Sequence, residues 1–141
     1  MRVAALLFVA ALGQFAVLAD SLPEPRLAYN GSQDNGSGFT QYNFAVSNYA
    51  DYSDELFQPA PTLPPCGKNR NASRTWVEIL DDSGRYLYGF CALSAAADMQ
   101  KLWFALPARM PPPKSIRVVV KDRATARAAE GRLDIPAAAA P

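Results

Sequence analysis

The sequence predicts an all-β fold: an antiparallel β-sandwich of the immunoglobulin-like or fibronectin-III-like kind, with about six or seven short strands and one disulfide. Three observations predict it. Apolar side chains recur at every second position and not at the period of about 3.6 that marks a helix. Twelve prolines fall mainly between those runs, where they end strands. The only helical stretch, 95–100, is too short to cover a sheet. A small closed barrel is the alternative, since alternation alone does not separate the two.

Residues 1–19 read as a secretory signal. Arg2 supplies the positive end, 3–12 is an apolar run, and Val17-Leu18-Ala19 precedes a cleavage point before Asp20. Gly13 and Gln14 interrupt the run, which is shorter than a membrane-spanning helix requires. Stable membrane insertion after cleavage is therefore not expected, and the compartment is extracellular or the bacterial periplasm. Residues 20–38 are polar and rich in turn formers, Asn30-Gly31-Ser32 and Asn35-Gly36-Ser37-Gly38 among them, and are expected to form a mobile leader. The folded unit is then 39–135, and 136–141, alanines between two prolines, forms a disordered tail.

Within that unit, Tyr42, Phe44 and Val46 alternate with Gln41, Asn43 and Ala45, as a half-buried strand does. Residues 75–80 and 86–93 are aromatic and β-branched and flank Asp81-Asp82-Ser83-Gly84, which predicts a hairpin with glycine at a positive φ. Ser94 is placed to cap a single helical turn over 95–100. Residues 102–106 form a strand ended by Pro107. Ile116, Val118 and Val120 mark another over 115–122, and 130–135 returns beside it through the 123–127 loop.

Export changes the reading of Cys66 and Cys91. Two cysteines in an oxidising space pair, so a Cys66–Cys91 disulfide is expected, contributing roughly 3 kcal/mol in the chain-entropy model. Immunoglobulin domains carry a Trp packed on a bridge between sheets whose cysteines lie far apart in sequence. Here Trp76 falls between cysteines that are closer together, so the bridge is expected to tie the 63–71 loop to the second hairpin strand.

The stretches Glu55-Leu56-Phe57, Pro64-Pro65-Cys66-Gly67-Lys68-Asn69, Ala72-Ser73-Arg74-Thr75-Trp76-Val77, Tyr88-Gly89-Phe90-Cys91-Ala92-Leu93 and Leu102-Trp103-Phe104 resemble a segment of small exported bacterial proteins without an assigned activity. The resemblance covers 42–123. It implies a sandwich-type domain and supplies no catalytic residues.

Composition excludes more chemistry than it names. There is no histidine, which removes Ser/His/Asp triads, Cys/His pairs and HExxH zinc sites. A formal charge of +1, neutral once Arg2 leaves with the signal, gives no basis for nucleic-acid binding. No cofactor and no metal are expected. Asp34-Asn35-Gly36-Ser37-Gly38 lacks the further acids of a calcium loop, and Asp51, Asp54 and Glu55 fit a solvated loop. Cys66-Gly67-Lys68-Asn69 lacks the spacing of a phosphate-binding loop. Asn30, Asn35 and Asn71 begin N-x-S triplets, read as chance matches in loops. Asp81, Asp82, Glu78 and Asp98 could supply the paired carboxylates of glycoside hydrolysis, but nothing in the sequence indicates a cleft between them, and Asp81 and Asp82 are turn residues by position.

What remains is binding. Tyr86, Tyr88 and Phe90 share one strand face by period and Leu87, Cys91 and Leu93 the other. A Tyr set turned outward would make an aromatic stripe for a protein or glycan partner. Lys68, Asn69, Asn71 and Arg74 crowd the disulfide loop with polar groups and complete the candidate set, against the plainer reading of loop hydrogen bonding. The expected function is a non-enzymatic exported binding or structural module. The alternatives are an inhibitor or immunity-type protein acting through the loop 58–66, stiffened by Pro59, Pro61, Pro64 and Pro65, and a small hydrolase using carboxylates alone.

Overall fold

A computed structural model describes residues 21–66, 74–93 and 95–137. The expected signal and Ser94 lie outside the described residues, as does the tail beyond 137. The seven strands are β1 (Leu27–Asp34), β2 (Phe39–Val46), β3 (Thr75–Asp81), β4 (Tyr86–Cys91), β5 (Leu102–Pro107), β6 (Ser115–Asp122) and β7 (Ala128–Asp134). They form two antiparallel sheets, β1-β2-β5 and β4-β3-β6-β7. Among the described residues a five-residue helix, α1 (Ala95–Met99), precedes β5, and 3-10 turns at Tyr49–Asp51 and Asp54–Phe57 follow β2. The fold is the antiparallel β-sandwich expected from the sequence, with two separate sheets in place of the single closed barrel that alternation left open.

The core follows directly from the period of two. In the three-stranded sheet Tyr42 lies opposite Phe104 and Phe44 opposite Leu102, and all four are buried. In the other sheet Val77 faces Val120 and Ile79 faces Val118, each with no exposed surface. Met99, Ala92, Leu56 and Phe57 fill the ends. Gly84 has φ +85 in the β3–β4 turn, as that turn requires. Asp81 fixes the turn: its Oδ1 accepts from the Ser83 amide at 3.0 Å, the Ser83 hydroxyl at 2.8 Å and the Arg85 amide at 2.8 Å.

The segment expected to be a mobile leader is instead part of the fold. β1 pairs with β2 from Leu27↔Val46 to Asp34↔Thr40, with an irregularity between Tyr29 and Ser32. The turn-forming residues after it close the hairpin: Asp34 Oδ1 accepts from the Gly36 amide at 2.9 Å, and the Asn35 amide donates to the Phe39 carbonyl at 3.1 Å. Residues 21–26 are anchored as well. The buried Tyr52 hydroxyl donates to the Pro23 carbonyl at 2.6 Å, and burial first of all pushes its pKa well above the usual tyrosine value. Asn48 Nδ2 donates to the Glu24 carbonyl at 2.9 Å and its Oδ1 accepts from the Arg26 amide at 2.8 Å. The Pro25 carbonyl lies so close to Gly131 on β7 that a Cβ there would collide with it. Leu22, Leu27 and Tyr29 pack against the core, and polar side chains and backbone anchor the rest; so short an apolar pattern beside turn-forming residues does not stand out in the sequence.

Candidate functional site

β4 and β5 are edge strands of different sheets, and their side chains meet at one side of the sandwich. The face assignment expected for β4 does not hold along its length. Ile79 pairs with Tyr88 and Leu80 with Tyr86, so Leu87 is an extra, unopposed residue, a bulge. Tyr88 and Phe90 lie on the side of Ile79 and Val77, toward the other sheet, whereas Tyr86 lies on the outer side with Leu80. There Tyr86 and Trp76 cover Gly89: a Cβ on that glycine would stand 2.5 Å from the Trp76 ring and 2.8 Å from the Tyr86 hydroxyl.

At the open margin the rings of Phe90, Tyr88 and Trp103 form a row. Tyr88 and Phe90 have centroids 5.8 Å apart and planes 32° apart. Tyr88 and Trp103, reaching across from β5, also lie 5.8 Å apart, at 20°. Tyr88 is 40% exposed and Trp103 44%, so the outer end of the row stands in solvent. Beside it is a shallow cavity of about 170 Å³ lined by Tyr88, Phe90, Asp98, Lys101 and Trp103 among others. At the opposite end of β4 a wider groove of about 610 Å³ runs between the hairpin residues Asp81, Asp82 and Arg85 and a wall of Met110, Pro111, Pro112 and Pro113, with Lys114 at its rim. Sequence reasoning missed this wall. The run of three prolines after Met110, stiff by its fixed φ, was the available signal.

Asp81 and Asp82, weighed for hydrolysis, do line that groove. The hydrogen bond from the Ser83 hydroxyl, followed by that from the Arg85 amide, holds the Asp81 carboxyl below its ordinary pKa. A glycosidase acid needs the opposite shift. Glu78 lies elsewhere, paired with Lys121 at 2.5 Å, and Asp98 accepts from the Leu93 amide at 2.6 Å.

The disulfide forms as expected. Cys66 and Cys91 are bonded, with Cα atoms 6.1 Å apart, and the bridge ties the exposed proline-rich loop to the end of β4. Arg123 reinforces it, donating through Nη2 to the Pro64 carbonyl and approaching Cys91 Sγ at 3.6 Å through Nη1. Lys68, Asn69 and Asn71 lie outside the described residues. Arg74, the other member of that polar group, is an internal clamp. Its Nε and Nη2 donate to Asp122 at 2.9 and 2.7 Å and its Nη1 to Glu55 at 3.2 Å. Asp122, with no exposed side-chain surface, also accepts from the Ala124 amide at 3.0 Å, the Thr125 hydroxyl at 2.7 Å and Arg127 Nη2 at 2.9 Å. The Arg74 hydrogen bonds are the main cause holding its carboxyl far below the usual carboxylate range, and they raise the Arg74 pKa in turn. The bridge and this cluster secure one end of the domain, and the aromatic row stands apart from the cluster.

Among the described residues no group of three or more His, Cys, Asp or Glu is placed to hold a metal ion, and no helix is long and apolar enough to cross a membrane. Compared with known proteins, the chain matches no family model, no curated protein and no solved structure.

Proposed function

We propose that this chain is an exported, non-enzymatic binding module that holds a protein or glycan partner on the β4/β5 opening. The observation that carries this reading is the stacked Tyr88–Trp103 pair, which leaves large aromatic surface in solvent where a core would cover it. Exposed aromatic clusters of this kind mark interaction surfaces. The disulfide and the signal-like residues 1–19 support an oxidising compartment, and the alanine-rich signal and tail support a bacterial envelope. The near-neutral charge supports partners other than nucleic acid. The test is capture from a native envelope extract by the oxidised protein and by Trp103→Ala. A partner retained by the first and lost by the second supports the reading, and equal capture by both sinks it.

A second reading has an observation of its own. Pro59, Pro61, Pro64 and Pro65 are exposed on a loop fastened by the bridge and by Arg123, the stiffened shape an inhibitor inserts into an enzyme cleft. Replacing Pro61 and Pro64 by Ser weakens partner capture under this reading and leaves it unchanged under the first.

A further inference from the structure

We infer that the ligand of the β4/β5 opening is a glycan chain whose sugar rings extend the stack begun by Phe90, Tyr88 and Trp103. The inference rests on the reading of that opening as the recognition surface and names what it recognises. A peptide would bind a sheet margin by adding a strand, which needs a regular row of unpaired backbone N–H and C=O groups. That row is broken on β4. The bulge at Leu87 breaks its spacing, a known device against edge pairing. The Trp103 ring stacks on Tyr88 from the other sheet, beside that margin.

What the opening offers instead is ring faces with polar groups beside them. A pyranose presents an apolar C–H face, which packs on an aromatic ring, and a girdle of hydroxyls, each needing a donor or acceptor. Trp103 and Tyr88 supply the first. Lys101 lines the cavity beside them and supplies donors for the second, next to Asp98, whose Oδ2 already accepts from the Leu93 amide. The groove at the other end repeats the combination, with Tyr86 and Leu87 beside Asp82, Arg85 and Lys114. Leu87 lines the groove and Tyr88 the cavity, so the two adjoin along β4.

The test uses the oxidised, signal-free protein. Isothermal titration with cellohexaose, xylohexaose, mannohexaose and chitohexaose is paired with electrophoresis through gels containing the corresponding polysaccharides. At least one glycan binds with millimolar or tighter affinity and retards the protein. Trp103→Ala weakens that binding at least tenfold, while Trp103→Phe, which keeps a ring, stays within about threefold. Tyr88→Ala repeats the loss at a second position. Circular dichroism and the absence of free thiols verify that each variant is folded. Retardation by none of the glycans, or binding indifferent to Trp103→Ala, overturns the inference. If the glycans fail but Trp103→Ala abolishes capture of an envelope protein, the opening remains the recognition surface and only its ligand class is wrong. If neither depends on Trp103, both readings fall.

Discussion

Replacing Asp122 by asparagine removes one charge from the most densely bonded side chain described. The carboxylate has no exposed surface and receives donors from Arg74, Ala124, Thr125 and Arg127. An asparagine of the same shape keeps one acceptor oxygen and turns an NH₂ group toward donors. Breaking a buried ion pair by removing one partner costs about 3–5 kcal/mol. Here the Arg74 and Arg127 side chains retain 19% and 30% of their surface and can rehydrate in part, which places the loss at the lower end, about 3 kcal/mol. For a domain of this size that lowers the melting temperature by roughly 12 °C. The assay is urea unfolding followed by circular dichroism, disulfide intact in both proteins, from pH 8 to pH 2. Because the folded-state pKa of Asp122 is depressed, its stabilisation is fully present above the unfolded value of about 3.9 and is lost as pH falls toward the folded one. The gap between wild type and Asp122→Asn is therefore constant near neutrality and narrows below about pH 4. A variant within 1 kcal/mol of wild type at pH 7, or a gap that does not narrow in acid, would refute the assignment of Asp122 as the clamp.

Three further predictions concern the backbone and the bridge. Ala126 has φ 62°, a left-handed conformation that costs an L-residue about 1–2 kcal/mol, so Ala126→Gly raises the unfolding free energy by a net of about 0.5–1 kcal/mol after the glycine entropy cost is subtracted, read as a higher urea midpoint. Gly131→Ala drives a methyl into the Pro25 carbonyl, destabilises the domain by about 1–3 kcal/mol and speeds tryptic cleavage at Arg26, read by mass spectrometry. Replacing Cys66 and Cys91 together by serine lowers unfolding free energy by about 3 kcal/mol, measured against oxidised wild type; an unchanged midpoint contradicts a structural bridge.

The sequence made the core strands legible because their signal is local. Ile116, Val118 and Val120 need only alternate to declare which side is buried, and Asp81-Asp82-Ser83-Gly84 carries its own turn chemistry. β1 was illegible for another reason: the strand Leu27–Asp34 buries little, and the anchors of the segment leading into it, at Asn48, Tyr52 and Gly131, are distant in sequence. The face of Tyr86 was misassigned because a bulge inserts one residue without any compositional mark, and every later position then changes side. Arg74 and Asp122 are 48 positions apart, and nothing local announces a pair closed only by the packing of β3 beside β6. The aromatic row lay between these cases: Tyr88 and Phe90 were named from sequence, but the stacking of Trp103 on Tyr88 required both sheets.

The two flanks of the sandwich are closed by unequal means. Where β1 approaches β7, backbone rests on glycine and a buried tyrosine is hydrogen-bonded to the chain that crosses there. Where β4 approaches β5, the bond is a pair of half-wet rings. Breathing of the two layers should accordingly hinge on the first flank and gape at the second, so that amide protons of β4 and β5 exchange with solvent sooner than those of β2, β3 and β6. Whatever settles between Tyr88 and solvent would act as a latch, slowing that exchange from a surface contact alone.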